Sequence, residues 1–263
     1  MDQDSWKPIV EGLLRWGHVF AGIIWIGHLY FFNWVNGPFA GTMDKDTKQK
    51  VVPELMPRAL FWFRWGAAWT WLFGYLLLGL VFYMVKTTLF EPTPGAEVGW
   101  GPGAGVMALL VLIAPFIYDA VCKSPLGKSN QTLAIVGIII VGGLMYAYHD
   151  WAHFTYRASL IHLGATFGTM MAFNVWWRIW PLQKKLIAAV KAGQAPDAAW
   201  AAVAGARSKH NTYMSVPLVF AMLNMHMSGF AYGPPGVSTM AVVAVGWLVT
   251  QWIYKKAATV KGF

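Results

Sequence analysis

One cysteine, Cys122, stands in a chain of 263 residues. A lone thiol excludes an internal disulfide, a Cys-x-x-Cys-His haem attachment and any cysteine cluster. It is expected as a small buried apolar residue. Charge is also scarce: Asp, Glu, Lys and Arg make up 12% of the chain, where a soluble domain carries about twice that fraction. Acids are the rarer sign, 11 against 20 basic residues. No phosphate-binding glycine loop, nucleophile triad or paired carboxylate within a hydrophobic run is found. The opening Met-Asp-Gln-Asp-Ser-Trp-Lys lacks a basic n-region. No cleavable signal peptide is expected, and the first hydrophobic segment is expected to be a permanent span. The net charge of +9 does not point to nucleic acid. Most basic residues flank hydrophobic runs, so membrane topology accounts for them.

What is abundant is apolar. Hydrophobic residues make up 57% of the chain, with 16 Trp and 16 Phe. That excess fits aromatic belts at two membrane surfaces. The expected fold is an all-α integral membrane protein, a single transmembrane domain over residues 1–263. The spans are placed near 12–35, 60–85, 104–118, 131–148, 158–180, 211–231 and 238–254. Each approaches the ~20 residues that a bilayer core requires, the third being short. Residues 186–206 are Ala-rich but interrupted by Gly193, Pro196 and Gly205, and are expected as an interfacial or cytoplasmic helix pair. No internal repeat is seen.

Lys and Arg concentrate after spans one, three and five and in the C-terminal tail. The N-terminus and the remaining turns hold only Lys7, Arg15, Lys86 and Arg157. The expected orientation is N-terminus outside and C-terminus inside.

Orientation assigns depth to the histidines. His18 and His28 lie ten residues apart in the first span, ~15 Å along a helix axis, so one iron cannot take both. His18, His162 and His226 are expected at similar depth on the outer side, with His149 and His153 at the outer mouth. His28 and His210 are expected on the inner side. Ionisable residues inside a membrane usually face the bundle interior and mark function. Imidazoles from facing helices ligate haem iron in such bundles. His18, His162 and His226 are therefore cofactor candidates, as against carbonyl-bonded packing residues. Gly17, Gly22, Gly164 and Gly168 admit either a flat macrocycle or a close helix. Gly164-x-x-x-Gly168 also fits plain helix packing.

His149-x-x-x-His153 has the spacing of two rings on one helical face, though at an exposed turn a solvated role is expected. His210 lies in Arg207-Ser208-Lys209-His210-Asn211, read as a cytoplasmic anchor with an Asn cap or as an anion site for lipid, substrate or haem propionate. Met222, Met225 and Met227 flank His226 and are expected as core fillers. Asn174 and Asn224 are expected to tie helices together.

Several stretches carry a resemblance. They are His162-Leu163-Gly164-Ala165-Thr166-Phe167-Gly168-Thr169-Met170-Met171-Ala172-Phe173-Asn174-Val175 with Gln183-Lys184-Lys185, and Arg207-Ser208-Lys209-His210-Asn211-Thr212-Tyr213 with Val216-Pro217-Leu218 and Asn224-Met225-His226. Arg15-Trp16-Gly17-His18, Gly22-Ile23-Ile24-Trp25-Ile26-Gly27, Phe61-Trp62-Phe63-Arg64-Trp65 and Trp71-Leu72-Phe73-Gly74-Tyr75 extend it. Over most of its length the chain resembles the membrane domain of the bacterial cytochrome c urate oxidase, or urate hydroxylase, family. The resemblance implies an all-helical membrane domain coupled to c-type cytochromes. In fused members an eighth span and a cytochrome c domain follow, and urate is oxidised with electrons leaving through cytochrome c. This chain departs from that pattern: it stops after span seven and holds no Cys-x-x-Cys-His. The histidines the resemblance carries over are His18, His162, His210 and His226. More distantly, the His-bearing first span is similar to that of the membrane-type protoporphyrinogen oxidase.

The expectation is a haem-binding redox subunit of the bacterial inner membrane, multi-pass and embedded in lipid. One or two haem b groups are expected, with His18, His162 and His226 as iron ligands and His210 and His28 as further cofactor contacts. A separate cytochrome c or respiratory complex is the expected redox partner, and urate or a similar small molecule a candidate substrate. The alternative is a non-catalytic anchor subunit of a larger complex. A transporter is disfavoured by the lack of repeated halves.

Overall fold

The computed structural model describes residues 6–92, 100–224 and 234–260. Among these, seven long helices account for nearly all regular structure: α1 Lys7–Thr42, α2 Lys45–Tyr83, α3 Pro102–Lys123, α4 Asn130–Trp151, α5 over 156–191, α6 Ala198–Asn224 and α7 Pro235–Ala257. A single turn at Lys86–Leu89 and a 3₁₀ turn at Pro125–Lys128 complete them, and no strand occurs among the described residues. Five helices, α1, α2, α3, α4 and α7, are long and apolar enough to cross a membrane. The chain is an all-α, multi-pass membrane protein.

Local chemistry sets the helix ends. Met43 is extended between α1 and α2. The Asp44 carboxylate then accepts from the Thr47 amide at 2.8 Å and the Thr47 hydroxyl at 2.7 Å, an acidic cap on orphan donors. Those two bonds hold the Asp44 carboxyl below its ordinary value. Pro102 opens α3, where a missing N–H is harmless. Ser129 caps α4 by accepting from the Thr132 amide at 3.3 Å. Cys122, expected to be buried, is half-buried.

Residues 186–206 do not form a helix pair of their own. Residues 186–191 continue α5 and 198–206 begin α6, with the break where Gly193 takes a left-handed φ of +71° and Pro196 follows. Pro181, at the expected end of span five, does not stop the helix, and Gly205 sits inside a helix in open space. Asn211 is consequently not a cap. It lies mid-helix, and Asp197 caps α6 by accepting from the Ala199 amide at 2.7 Å. The turn expected from His149 begins later, because α4 runs on to Trp151; His153 then has φ +56°. Its carbonyl accepts from the Glu91 amide at 3.0 Å, and Thr155 donates to the Leu89 carbonyl at 2.8 Å. The two rings therefore do not share a helical face.

The chain divides into two compact units. The first comprises residues 1–15, 74–170 and 216–247. Its core is built on α5 from Ala158 to Leu163, buried on every side, with Phe82, Leu89, Val111, Met145, Tyr148 and Phe154 around it. The second comprises residues 16–73, 171–215 and 248–263. Here α1 buries only the narrow stripe Ala21, Trp25 and Leu29, at the four-residue spacing of one helical face. Val19, Phe20 and Ile23 stay exposed, as expected for a face that meets lipid. The stripe packs on α2 around Gly66, where an added Cβ would lie 3.1 Å from the Trp25 amide nitrogen.

Four wide π-turns interrupt the helices, at Phe31–Asn36, Leu78–Tyr83, Ala147–Trp151 and Asn174–Ile179. Each is closed by an amide reaching back five residues, such as Met84 to the Gly79 carbonyl at 2.9 Å and Ala152 to the Ala147 carbonyl at 3.0 Å. Such turns shift the register of the following side chains and recur at functional sites.

Candidate functional site

In the first unit the polar centre is His162, 0% exposed on α5. Its Nδ1 lies 2.7 Å from the Ala158 carbonyl one turn back. A carbonyl only accepts, so Nδ1 carries the proton and Nε2 is the acceptor. Nε2 receives the Tyr83 hydroxyl at 2.9 Å. Thr166 donates to the His162 carbonyl at 2.8 Å, which leaves its oxygen to accept from the Tyr148 hydroxyl at 2.8 Å. Aromatic rings enclose the imidazole: Phe154 at 4.7 Å, Tyr148 at 5.4 Å, Tyr83 at 5.6 Å and Phe82 at 6.5 Å between centroids. Two π-turns supply the two tyrosines. Tyr83 and Tyr148 carry no motif, and nothing in the sequence singles them out.

In the second unit His18 and His28 occupy separate places. The His18 Nδ1 reaches across to the Thr70 carbonyl on α2 at 2.9 Å, and Thr70 itself donates to the Gly66 carbonyl at 2.7 Å. The His28 Nδ1 bonds the Ile24 carbonyl one turn back at 2.7 Å. The same tautomer argument leaves Nε2 of both rings as a bare acceptor, and neither bonds a described residue. His28 lies in a groove between α1 and α2.

A second polar network joins α1, α6 and α7 within this unit. Asn33 donates to the Ser208 hydroxyl at 2.8 Å and accepts from the Tyr254 hydroxyl at 2.9 Å. Tyr30 and Ser215 share a hydrogen bond of 3.0 Å. Asn174 donates to Asn211 at 2.8 Å, and Asn211 to the Met171 carbonyl at 3.0 Å, both side chains 0% exposed. Asn224, in the first unit, donates to Tyr156 at 3.4 Å. Both expected amide ties are therefore present. His210 is half-buried within α6, beside the buried Arg207.

The glycines resolve between their two readings in part. An added Cβ at Gly17 would meet the Phe73 ring at 2.9 Å. At Gly164 it would meet Met222 at 2.8 Å, and at Gly168 Leu218 at 3.5 Å. These positions are filled by neighbouring side chains, as helix packing requires. His226, Met225 and Met227 lie outside the described residues. Among the described residues no three His, Cys, Asp or Glu side chains form a metal-binding group.

A haem is implied by the histidines and by the resemblance, and the tautomers bear on its fit. A ligating imidazole usually donates its other N–H to a carbonyl or carboxylate. His18, His28 and His162 are all held that way. Nε2 has no described partner at His18 and His28, so these two fit as they stand. At His162 the ligating position is taken by Tyr83, which must swing away first.

The family model for the urate oxidase N-terminal region matches residues 39–262. The chain belongs to that family. The family match takes in His162, His210 and His226 and begins beyond His18 and His28. It also covers Tyr83 and Tyr148 and every residue of the Asn174–Asn211 pair. No curated protein and no solved structure matches the chain.

Proposed function

We propose that this family member is a haem-binding redox subunit of the bacterial inner membrane, exchanging electrons with a separate cytochrome c or respiratory complex. The observation that carries the reading is the shared state of three imidazoles. Each directs Nδ1–H to a carbonyl and so keeps Nε2 as its acceptor nitrogen, the tautomer a ligating histidine needs, with Nε2 engaged by Tyr83 at His162. His18, His162 and His226 are the proposed iron ligands, and His210 is a further cofactor contact. A bound haem supplies one-electron transfer. The chain's own part is to hold the rings in one tautomer and to keep water from His162 behind its aromatic shell. All seven long helices cross the bilayer in this reading, with the N-terminus outside and the C-terminus inside. α5 and α6 turn polar residues such as Ser159, Thr166, Asn174 and Asn211 inward, which lowers their apolarity without exposing them to lipid. Urate, or a similar small anion, is the proposed substrate of the assembly, as family membership supports.

The test is a reduced-minus-oxidised spectrum of the purified protein. The b-type bands are expected, weakened or lost on His18→Ala and on His162→Ala. A folded protein with neither haem nor metal overturns the reading. That outcome would favour a non-catalytic anchor subunit, for which one observation speaks: His162 is fully satisfied by Tyr83 and Ala158 and packed like a core residue.

A further inference from the structure

The groove at His28 has a chemistry of its own. It measures about 500 Å³ and lies between Ile24, His28 and Phe31 of α1 and Leu55, Arg58 and Trp62 of α2. That volume lies within the ~300–1,000 Å³ usual for small-molecule sites. Its rim is open, with Ile23 68% and Trp62 54% exposed. Both walls belong to helices apolar and long enough to cross a membrane. An occupant can therefore enter from the lipid.

Three features select that occupant. The first is an acceptor. His28 Nδ1–H is committed to the Ile24 carbonyl at 2.7 Å, so Nε2 is bare and no described residue donates to it. The ring is half-buried between the two helices, and a bare imidazole nitrogen there is costly until a donor reaches it. The second is a donor. Arg58 uses Nη1 on Glu54, bonding both its backbone carbonyl and, at 2.7 Å, its carboxylate. Nη2 and Nε remain for an oxygen acceptor. The third is shape: Gly27 lines the groove with no atom within 4 Å of an added Cβ, and Phe31 and Trp62 add aromatic surface to its lining. A flat ring fits there.

We infer that this groove binds a membrane quinol. One ring hydroxyl donates to His28 Nε2, the ring lies among Phe31, Leu55 and Trp62, an oxygen accepts from Arg58, and the isoprenoid tail leaves along the exposed rim. A phospholipid matches less well. Its phosphate would satisfy Arg58, but it brings no planar ring and no phenolic donor. The facing wall offers Leu55, Arg58, Ala59 and Trp62, none of them a customary haem ligand. The site stands on these contacts alone and is independent of haem elsewhere in the chain.

The committed tautomer makes the binding directional: a quinol has the donor that Nε2 needs, and the oxidised quinone does not. The test uses the full chain in nanodiscs of zwitterionic lipid, titrated anaerobically with a short-chain ubiquinol and separately with its quinone, by equilibrium dialysis. Saturable binding is expected, with the quinol about tenfold tighter, the scale of one lost hydrogen bond. His28→Leu is expected to remove that preference and Arg58→Gln to weaken both forms. Gly27→Leu fills the groove against open space and is expected to abolish binding with the fold intact; it serves as the readout if His28→Leu does not fold. Non-saturable partitioning, equal affinity for quinol and quinone, or undiminished binding in Gly27→Leu overturns the proposal. So does native mass spectrometry showing a retained phospholipid that the quinol does not displace. None of these outcomes depends on a haem spectrum, so this site and the redox reading fail separately.

Discussion

Tyr83 supplies the hydrogen bond to Nε2 of the fully buried His162 ring, its hydroxyl also lying 3.3 Å from the Ala104 carbonyl. Removing the hydroxyl leaves Nε2 buried and without a donor, a loss of about 1–3 kcal/mol. Tyr83→Phe is expected to lower the thermal unfolding temperature while helix content by circular dichroism stays unchanged. Under the haem reading the same change also clears the ligating position, so haem content should be kept or rise as stability falls. The Asn174–Asn211 pair makes a sharper case, because Asn211 both accepts and donates. Asn211→Ala removes both of these buried bonds together, and a loss of about 1–3 kcal/mol is expected in the same melt. At Asp44 the sign can be worked out. Bonds from Thr47 hold its carboxyl below the ordinary value. Its contribution to the α2 start is therefore complete above the ordinary carboxylate range and lost as pH falls through the lowered value. Hydrogen exchange at the Thr47 amide, corrected for intrinsic rate, should lose protection in that acid window. Asp44→Asn, which still caps, should remove most of the pH dependence.

At the level of helices, hydrophobic run lengths located all seven long helices, and five of them have the length and apolarity that a bilayer demands. The boundaries failed where backbone chemistry outweighed composition. Residues 186–206 looked too broken to span and were expected as a helix pair of their own. Gly193 and Pro196 break the chain there, whereas Gly205 does not. The π-turns were not legible at all. A single inserted residue leaves composition untouched, yet Asn33, Tyr83, Tyr148 and Asn174, four members of the polar clusters, all lie within such turns. Glycine contacts give a graded prediction. At Gly66 an added Cβ meets backbone, the Trp25 nitrogen at 3.1 Å and the Ala21 carbonyl at 3.3 Å. At Gly164 it meets the flexible end of Met222. Gly66→Ala is expected to cost about 1–3 kcal/mol, the scale of overpacking. Gly164→Ala should cost less, since a thioether yields readily; paired thermal melts in the same detergent compare them.

For the whole molecule, low charge and long apolar runs decided the membrane class, because neither suits a chain surrounded by water. The span five and six motifs decided the family, and the match over residues 39–262 agrees with them. What remained open in the sequence was the surroundings of each histidine. The fold gives His18, in the second unit, and His162, in the first, each its own carbonyl partner. It also turned His28 from an isolated inner residue into one wall of a groove with a bare acceptor. The sequence by itself thus determined the solvent, the class of fold and the residues rich enough in chemistry to matter, since these follow from composition and from motif. Only the tertiary structure decided which ring nitrogen is free, which histidine is shielded and which faces open space. Those depend on a carbonyl, a tyrosine or a gap brought in from elsewhere in the chain.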